Sequence, residues 1–94
     1  MSDSHLEARF YHVKGRVQGV GFRNFAQQAA ARLDLTGWVR NLDDGRVEIF
    51  AQGPARSLTE FEGILWKGPR GGEVRGVDSA AATPESRRGF IIRH

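Results

Sequence analysis

Apolar residues along this chain follow two spacings, which together predict a mixture of strands and helices. Aromatic and β-branched residues concentrate in stretches typical of strands, at residues 9–17, 36–42, 46–52, 73–80 and 90–92. Apolar residues at helical intervals of three and four follow over residues 22–33 and again from Leu58 to Leu65. The predicted order is therefore β–α–β–β–α–β, with one additional short strand towards the C-terminus.

Turn signals agree with these boundaries. Asp43-Asp44-Gly45 predicts a tight hairpin turn, because Asp-Gly tolerates the positive φ that such turns require. Pro54 is expected in the first turn of the second helix, and Gly68-Pro69 is expected to end it. Along the third strand, apolar residues alternate with polar ones, which predicts one buried face. Both tryptophans, Trp38 and Trp66, are expected to be packing residues.

The order of elements is that of the α+β ferredoxin-like split βαβ sandwich. It predicts an antiparallel sheet with two helices on one face, connected by right-handed crossovers. We expect a single domain over residues 8–94, after a flexible segment at residues 1–7. Because this topology carries many unrelated functions, the function has to be argued from the site.

Composition restricts the possible classes of function. With no cysteine, the 94 residues offer no disulfide, thiol nucleophile or thiolate metal site. The chain starts with polar residues and contains no run long enough to span a membrane, so we expect a cytoplasmic protein without a membrane partner. The net charge is +3, but acidic and basic residues are interspersed, which favours an ordinary solvated surface over a nucleic-acid-binding one.

The most informative segment is residues 15–23, which read GRVQGVGFR and connect the first strand to the first helix. Glycines in such a turn allow backbone N–H groups to converge on one point, and the helix N-terminus adds partial positive charge there. Arg23 places a planar, permanently charged group at the same helix end, suited to a phosphate or a carboxylate. The pattern therefore predicts a binding site for a small oxyanion.

Residues 15–23 resemble the first signature of the acylphosphatases. Residues 37–41 (GWVRN), followed by Gly45, Val47 and Gly53, resemble the second signature of that family at matching spacing. The loop at residues 67–69 and the FIIR ending at residues 90–93 are also similar, so that the resemblance covers about residues 8–94. His94 stands where the family commonly has tyrosine, and it is expected to affect terminal packing without touching a catalytic position.

This resemblance implies hydrolysis of the carboxyl–phosphate anhydride of a small-molecule acyl phosphate, without a metal or organic cofactor. It places the phosphate-binding arginine at Arg23 and the asparagine that positions the attacking water at Asn41. The implied phosphate-binding backbone amides are those of Gln18, Gly19, Val20, Gly21 and Phe22. Inorganic phosphate is then the product and an inhibitor, and we expect a monomer with no nucleic-acid partner. Neither the physiological acyl group nor the proton acceptor follows from the sequence.

Less specific interpretations exist for the same residues. Arg23 alone fits a solvated first-turn residue, and Asn41 alone fits a residue that caps the hairpin. Asp43 and Asp44 suggest magnesium only weakly, because neighbours on an extended chain point to opposite faces, and His5, His12 and His94 lack ligand spacing. His12 is expected to be a partly buried structural residue.

Two rival classes share the predicted topology. RNA-recognition domains carry stacking aromatic residues on a central strand, whereas residues 46–50 contain a single aromatic residue beside a carboxylate. A noncatalytic regulatory or maturation domain, of the kind found fused within larger proteins, is the second alternative. The presence of both Arg23 and Asn41 argues against it.

Overall fold

The computed structural model describes residues 6–94, which form five strands and two helices. In chain order these elements are β1 (Glu7–Arg16), α1 (Phe22–Arg32), β2 (Thr36–Asn41), β3 (Val47–Gly53), α2 (Ala55–Lys67), β4 (Glu73–Ala82) and β5 (Phe90–Ile92). A flexible segment was expected at residues 1–7, and residues 1–5 of it lie outside the described residues. Glu7 already belongs to β1 and pairs with Gly53 of β3.

The five strands form one sheet in the order β4-β1-β3-β2-β5, and the predicted ferredoxin-like fold is confirmed. One detail of the prediction is corrected, since the sheet is mixed: β5 pairs with β2 in parallel, whereas the other three pairings are antiparallel. The reason is topological, because residues 83–89 carry the chain from the β4 edge to the opposite edge. A polar contact accompanies this passage, in which the Gln52 side chain exchanges hydrogen bonds of 2.6 and 2.7 Å with the backbone of Glu85.

The main core lies between the sheet and the two helices. Alternate strand residues face the helices, among them Tyr11, Val39 and Ile49, which are completely buried. They meet the buried residues of the helices, which are Phe22, Ala26, Ala29 and Ala30 of α1 and Leu58, Phe61 and Leu65 of α2. The Tyr11 hydroxyl donates to the Leu58 carbonyl at 3.2 Å, and burial raises the pKa of this phenol. Each large apolar side chain buried here contributes about 1.5–3 kcal/mol.

The opposite face of the sheet carries a second, smaller core. Phe10, Trp38 and Phe50 pack there with ring centroids 5.4–6.1 Å apart, together with Ala8 and Ala82. The expectation that β3 has one buried face is therefore wrong, because Phe50 and Gln52 are buried on its second face. Alternation along one strand could not reveal that neighbouring strands supply aromatic partners on this side.

The two tryptophans differ in their environment. Trp38 is buried, as expected, whereas Trp66 is 47 % exposed on α2, which contradicts the prediction that both tryptophans are packing residues. Its position follows from helical geometry, because the buried stripe of α2 runs through Leu58, Phe61 and Leu65, and the next residue points away from it. Neither of the two helices described is long and apolar enough to cross a membrane.

Candidate active site

The site is built on the loop between β1 and α1, residues 17–21, which we call the first crossover loop. Gly19 and Gly21 adopt φ values of +76° and +79°, a left-handed region that is costly for residues with a side chain. Gly21 is also the N-cap of α1, and its carbonyl accepts the first helical hydrogen bond, from the N–H of Phe25 at 3.0 Å. The glycine pattern thus lets the chain turn sharply from the strand into the helix.

The N-terminus of α1 presents donors without a local acceptor. Within residues 6–94 no side chain caps this helix end, and its first turn contains no acidic residue. The N–H groups of a first helical turn lack partners inside the helix, and the helix dipole makes their surroundings favourable for an anion. This end of α1 is therefore suited to donate hydrogen bonds to a phosphate oxygen.

A cleft of about 380 Å³ opens at this helix end. It is lined by Val17, Gly19, Gly21, Phe22, Arg23, Asn24, Asn41, Ile92 and His94. The structure thus brings together the first crossover loop, the first turn of α1, the end of β2 and the C-terminal residues. Arg23 and Asn41 come from different elements of the fold, and both line this cleft.

Arg23 is held from the C-terminal side. Its Nη1 atom donates to Nδ1 of His94 at 3.2 Å, with a longer contact of 3.5 Å to the carbonyl oxygen of Arg93. A guanidinium has only donors, so Nδ1 of His94 is the acceptor in this contact. The expectation that His94 touches no catalytic position is wrong. Only the tertiary fold, which places residues 71 positions apart in contact, could show this.

Asn41 is the last residue of β2, directly before the hairpin turn. That turn is closed by other groups: the N–H of Leu42 donates to the Arg46 carbonyl at 2.8 Å, and the N–H of Gly45 donates to the Leu42 carbonyl at 3.2 Å. The Asp44 carboxylate accepts from the backbone and side chain of Arg46, and these hydrogen bonds lower the pKa of Asp44. Within the described part of the chain, the side-chain amide of Asn41 makes no hydrogen bond. It is therefore available to a molecule in the cleft.

The side chain of Gln18 also contacts this region, which the sequence did not reveal. Its side-chain amide reaches from the first crossover loop to the β2–β3 turn, where Nε2 donates to the Leu42 carbonyl at 2.8 Å and to the Arg46 carbonyl at 2.9 Å. Sequence reasoning assigned Gln18 a backbone role only. A polar side chain inside a glycine-rich turn was the available signal, but its partners lie more than 20 residues away.

On the other face of the sheet, polar and charged side chains next to Asn41 connect strands β1, β3 and β2. Glu48 accepts from Arg40 at 2.6 Å and pairs with His12 at 2.9 Å, which makes His12 the half-buried structural residue that was expected. Burial alone would raise the pKa of Glu48, but the hydrogen bonds from His12 and Arg40 outweigh burial and lower it. Across residues 6–94, no group of three His, Cys, Asp or Glu side chains is placed to hold a metal ion.

Comparisons with known proteins agree on one family. The family model described as Acylphosphatase matches residues 9–92. An acylphosphatase of Solibacter usitatus is 55 % identical over 90 residues, which cover 96 % of this chain and 94 % of that protein. The crystal structure of the Bacillus subtilis acylphosphatase superimposes with a TM-score of 0.89 at 41 % identity, covering 96 % of this chain and all of the other. An acylphosphatase structure from Coxiella burnetii gives a TM-score of 0.93 at 35 % identity, with coverage of 99 % and 100 %.

Proposed function

Because the chain belongs to the acylphosphatase family, we propose that its cleft binds the phosphoryl group of an acyl phosphate at Arg23 while Asn41 positions the attacking water. The reaction is that of a hydrolase acting on acid anhydrides, in which an acyl phosphate and water give a carboxylate and inorganic phosphate. The observation that supports the residue roles is the common cleft of Arg23, Asn41 and the uncapped end of α1.

Phosphate binding rests on two kinds of donor. Arg23 can donate two parallel hydrogen bonds to phosphate oxygens, and the backbone amides of residues 18–22 surround the remaining oxygens. Arg23 is oriented by its contact with His94, and the left-handed glycines give the loop the turn that brings its amides to the end of α1. Donors that are already oriented stabilise the charge of the transferred phosphoryl group without reorganising during the reaction.

The chemical step requires little acid–base assistance. The water oxygen forms a bond to phosphorus, the bond from phosphorus to the acyl oxygen breaks, and the carboxylate leaves with the electron pair. A carboxylate is a good leaving group, so catalysis can rest on positioning and charge stabilisation. The amide of Asn41 accepts from the water with its oxygen and donates to the phosphoryl group with its nitrogen. A phosphoryl oxygen of the substrate takes the proton of the water.

The same arrangement defines the partners. Inorganic phosphate fits the donors that bind the substrate's phosphoryl group, so it acts as a competitive inhibitor as well as a product. No metal or organic cofactor takes part, because Arg23 and the amides supply the positive charge that a metal ion would supply. A cytoplasmic location and a monomeric state belong to the same proposal and rest on the sequence alone.

The test measures hydrolysis of benzoyl phosphate in excess EDTA, with inorganic phosphate as inhibitor. We expect full activity in EDTA, competitive inhibition by phosphate, and far slower hydrolysis of phenyl phosphate. The monoester is the matched control, because it presents the same phosphoryl group with a much poorer leaving group. Activity that vanishes in EDTA and returns with magnesium would contradict the metal-free mechanism. Inactivity combined with salt-sensitive RNA binding would favour the RNA-binding alternative.

A further inference from the structure

The side chain of Gln18 links the first crossover loop to the strand pair that carries Asn41. Its Nε2 atom donates both of its hydrogens, to the carbonyl oxygens of Leu42 at 2.8 Å and Arg46 at 2.9 Å. Leu42 follows Asn41 directly, and Arg46 precedes Val47, the residue that pairs with Asn41 across β2 and β3. The two acceptors therefore lie on either side of the end of the strand pair, next to Asn41.

The hairpin turn does not need Gln18 in order to close. The Arg46 carbonyl also accepts from the N–H of Leu42 at 2.8 Å, and the Leu42 carbonyl accepts from the N–H of Gly45 at 3.2 Å. A carbonyl oxygen has two lone pairs, so Gln18 uses acceptor capacity that the turn leaves over. Loss of the Gln18 amide would leave neither carbonyl without a partner, which limits the expected effect on folding.

The first crossover loop is anchored to the core at Val17 and Val20, whereas its glycines have no packing of their own. A Cβ atom placed at Gly19 or Gly21 would meet nothing within 4 Å, so this part of the loop is not held by packing around those residues. Glycines also give the backbone more freedom than other residues do. The two hydrogen bonds of Gln18, directly before Gly19, are thus a specific link between the loop and the end of β2.

We propose that the Gln18 side chain is a positioning residue that sets the distance between the phosphate-binding amides and Asn41. This inference rests on the proposed roles of the loop and of Asn41. The phosphorus atom is located by the loop and the water by β2, so their separation depends on how these two elements are joined. An error of about 1 Å between reacting groups can cost 100-fold in rate. Gln18 acts through the loop and Asn41, without contacting the water.

The test is a cycle of Gln18→Met, Asn41→Ala and the double variant, with kcat, KM, the phosphate inhibition constant and Tm measured for each. We expect Gln18→Met to lower kcat by about 10-fold or more, and to change the phosphate inhibition constant by less than about threefold. In the Asn41→Ala background the same substitution should have little further effect on kcat, because the water is no longer positioned there.

A matched control is Gln27→Met, because Gln27 also donates a long-range side-chain hydrogen bond, to the Phe90 carbonyl at 3.0 Å, and does not line the cleft. It should lower Tm about as much as Gln18→Met does while leaving kcat unchanged. Gln18→Asn keeps the amide but shortens its reach by one methylene, so it should also lower kcat, and it replaces Gln18→Met in the cycle if that variant does not fold.

The outcomes separate this inference from the proposed function. If Asn41→Ala lowers kcat and Gln18→Met changes only Tm, Gln18 is a structural residue and the inference is overturned. Equal effects of Gln18→Met with and without Asn41 would likewise overturn it, since they would show that Gln18 does not act through Asn41. An unchanged kcat in Asn41→Ala would instead refute the proposed role of Asn41 itself.

Discussion

The two β-to-α connections of this fold have the same topology but very different surroundings. Five residues, 17–21, connect β1 to α1, whereas Pro54 alone connects β3 to α2. Both helices lack a side-chain N-cap and an acidic residue in the first turn, and both have arginine at the second helical position, Arg23 in α1 and Arg56 in α2. The end of α1 opens into the cleft beside Asn41, whereas Arg56 is exposed.

We propose a phosphate site at only one of these two helix N-termini, although both carry an arginine in the first turn. The helix dipole and the unpartnered amides are similar in the two helices. The first connection differs in having a longer loop and a neighbouring strand that brings the Asn41 side chain into the same cleft. The following variants test that distinction, from the largest expected effect to the smallest.

The largest effect is expected from Arg23→Lys, with Arg56→Lys as its counterpart in the second connection. Lysine keeps the charge but lacks the planar fork, so it cannot donate two parallel hydrogen bonds to the phosphoryl group or replace the contact with His94. We expect kcat/KM to fall by about 1,000-fold, within the range for arginines that stabilise phosphoryl transfer, with weaker phosphate inhibition and an unchanged fold. Arg56→Lys should match the wild type, and equal kinetics in the two variants would show that the comparison is wrong.

The next largest effect is expected at Asn41, the strand side chain that lies beside the first connection. Asn41→Ala should lower kcat by about 100-fold or more, because the attacking water loses its orientation, while phosphate inhibition stays nearly as strong. The hairpin-cap interpretation makes the opposite prediction. It expects a Tm several degrees lower with kcat almost intact. Steady-state kinetics and thermal unfolding on the same preparation decide between the two.

A smaller effect is expected from glycine geometry. Gly21→Ala forces a left-handed φ of +79° on alanine, so we expect a loss of about 1–2 kcal/mol in the free energy of unfolding, together with reduced kcat. Gly63→Ala in the interior of α2 is the matched control, because Gly63 is exposed and the new methyl group meets nothing within 4 Å. It should stabilise the protein by about 0.5–1 kcal/mol. Denaturant unfolding of both variants tests whether only the first connection requires glycine.

The smallest effect concerns the charges that hold β2 against β3 behind Asn41. The pKa of Glu48 is lowered in the folded protein, so its contribution to stability is present above the ordinary glutamate pKa and is lost as the pH falls through the folded value. Glu48→Gln should therefore cost about 0.5–1 kcal/mol at neutral pH and progressively less as the pH falls through the folded pKa of Glu48. A difference in unfolding free energy that does not depend on pH would show that the charge of Glu48, through its contacts with Arg40 and His12, does not stabilise this strand pair.

The order of elements and the glycine turn between β1 and α1 could be read from the sequence because both depend on local patterns. Apolar spacing predicted α1 to within one residue, Pro54 and Gly68-Pro69 marked the limits of α2, and the Asp-Gly signal placed the hairpin beside Asn41. The glycines before α1 indicated an anion site because their conformational freedom is a property of single residues. The resemblance of two spaced signatures to the acylphosphatases then identified the family.

Tertiary structure alone decided which distant groups meet. The parallel pairing of β5, the second core around Trp38 and the exposure of Trp66 depend on which strands and helices become neighbours, which spacing along one element does not encode. The contact of His94 with Arg23 and the link from Gln18 to the β2–β3 turn arise in the same way. The sequence by itself thus determined the elements and the family, because these depend on local chemistry and local pattern. The tertiary structure decided how the site is held in place, because each supporting contact joins residues that only folding brings together.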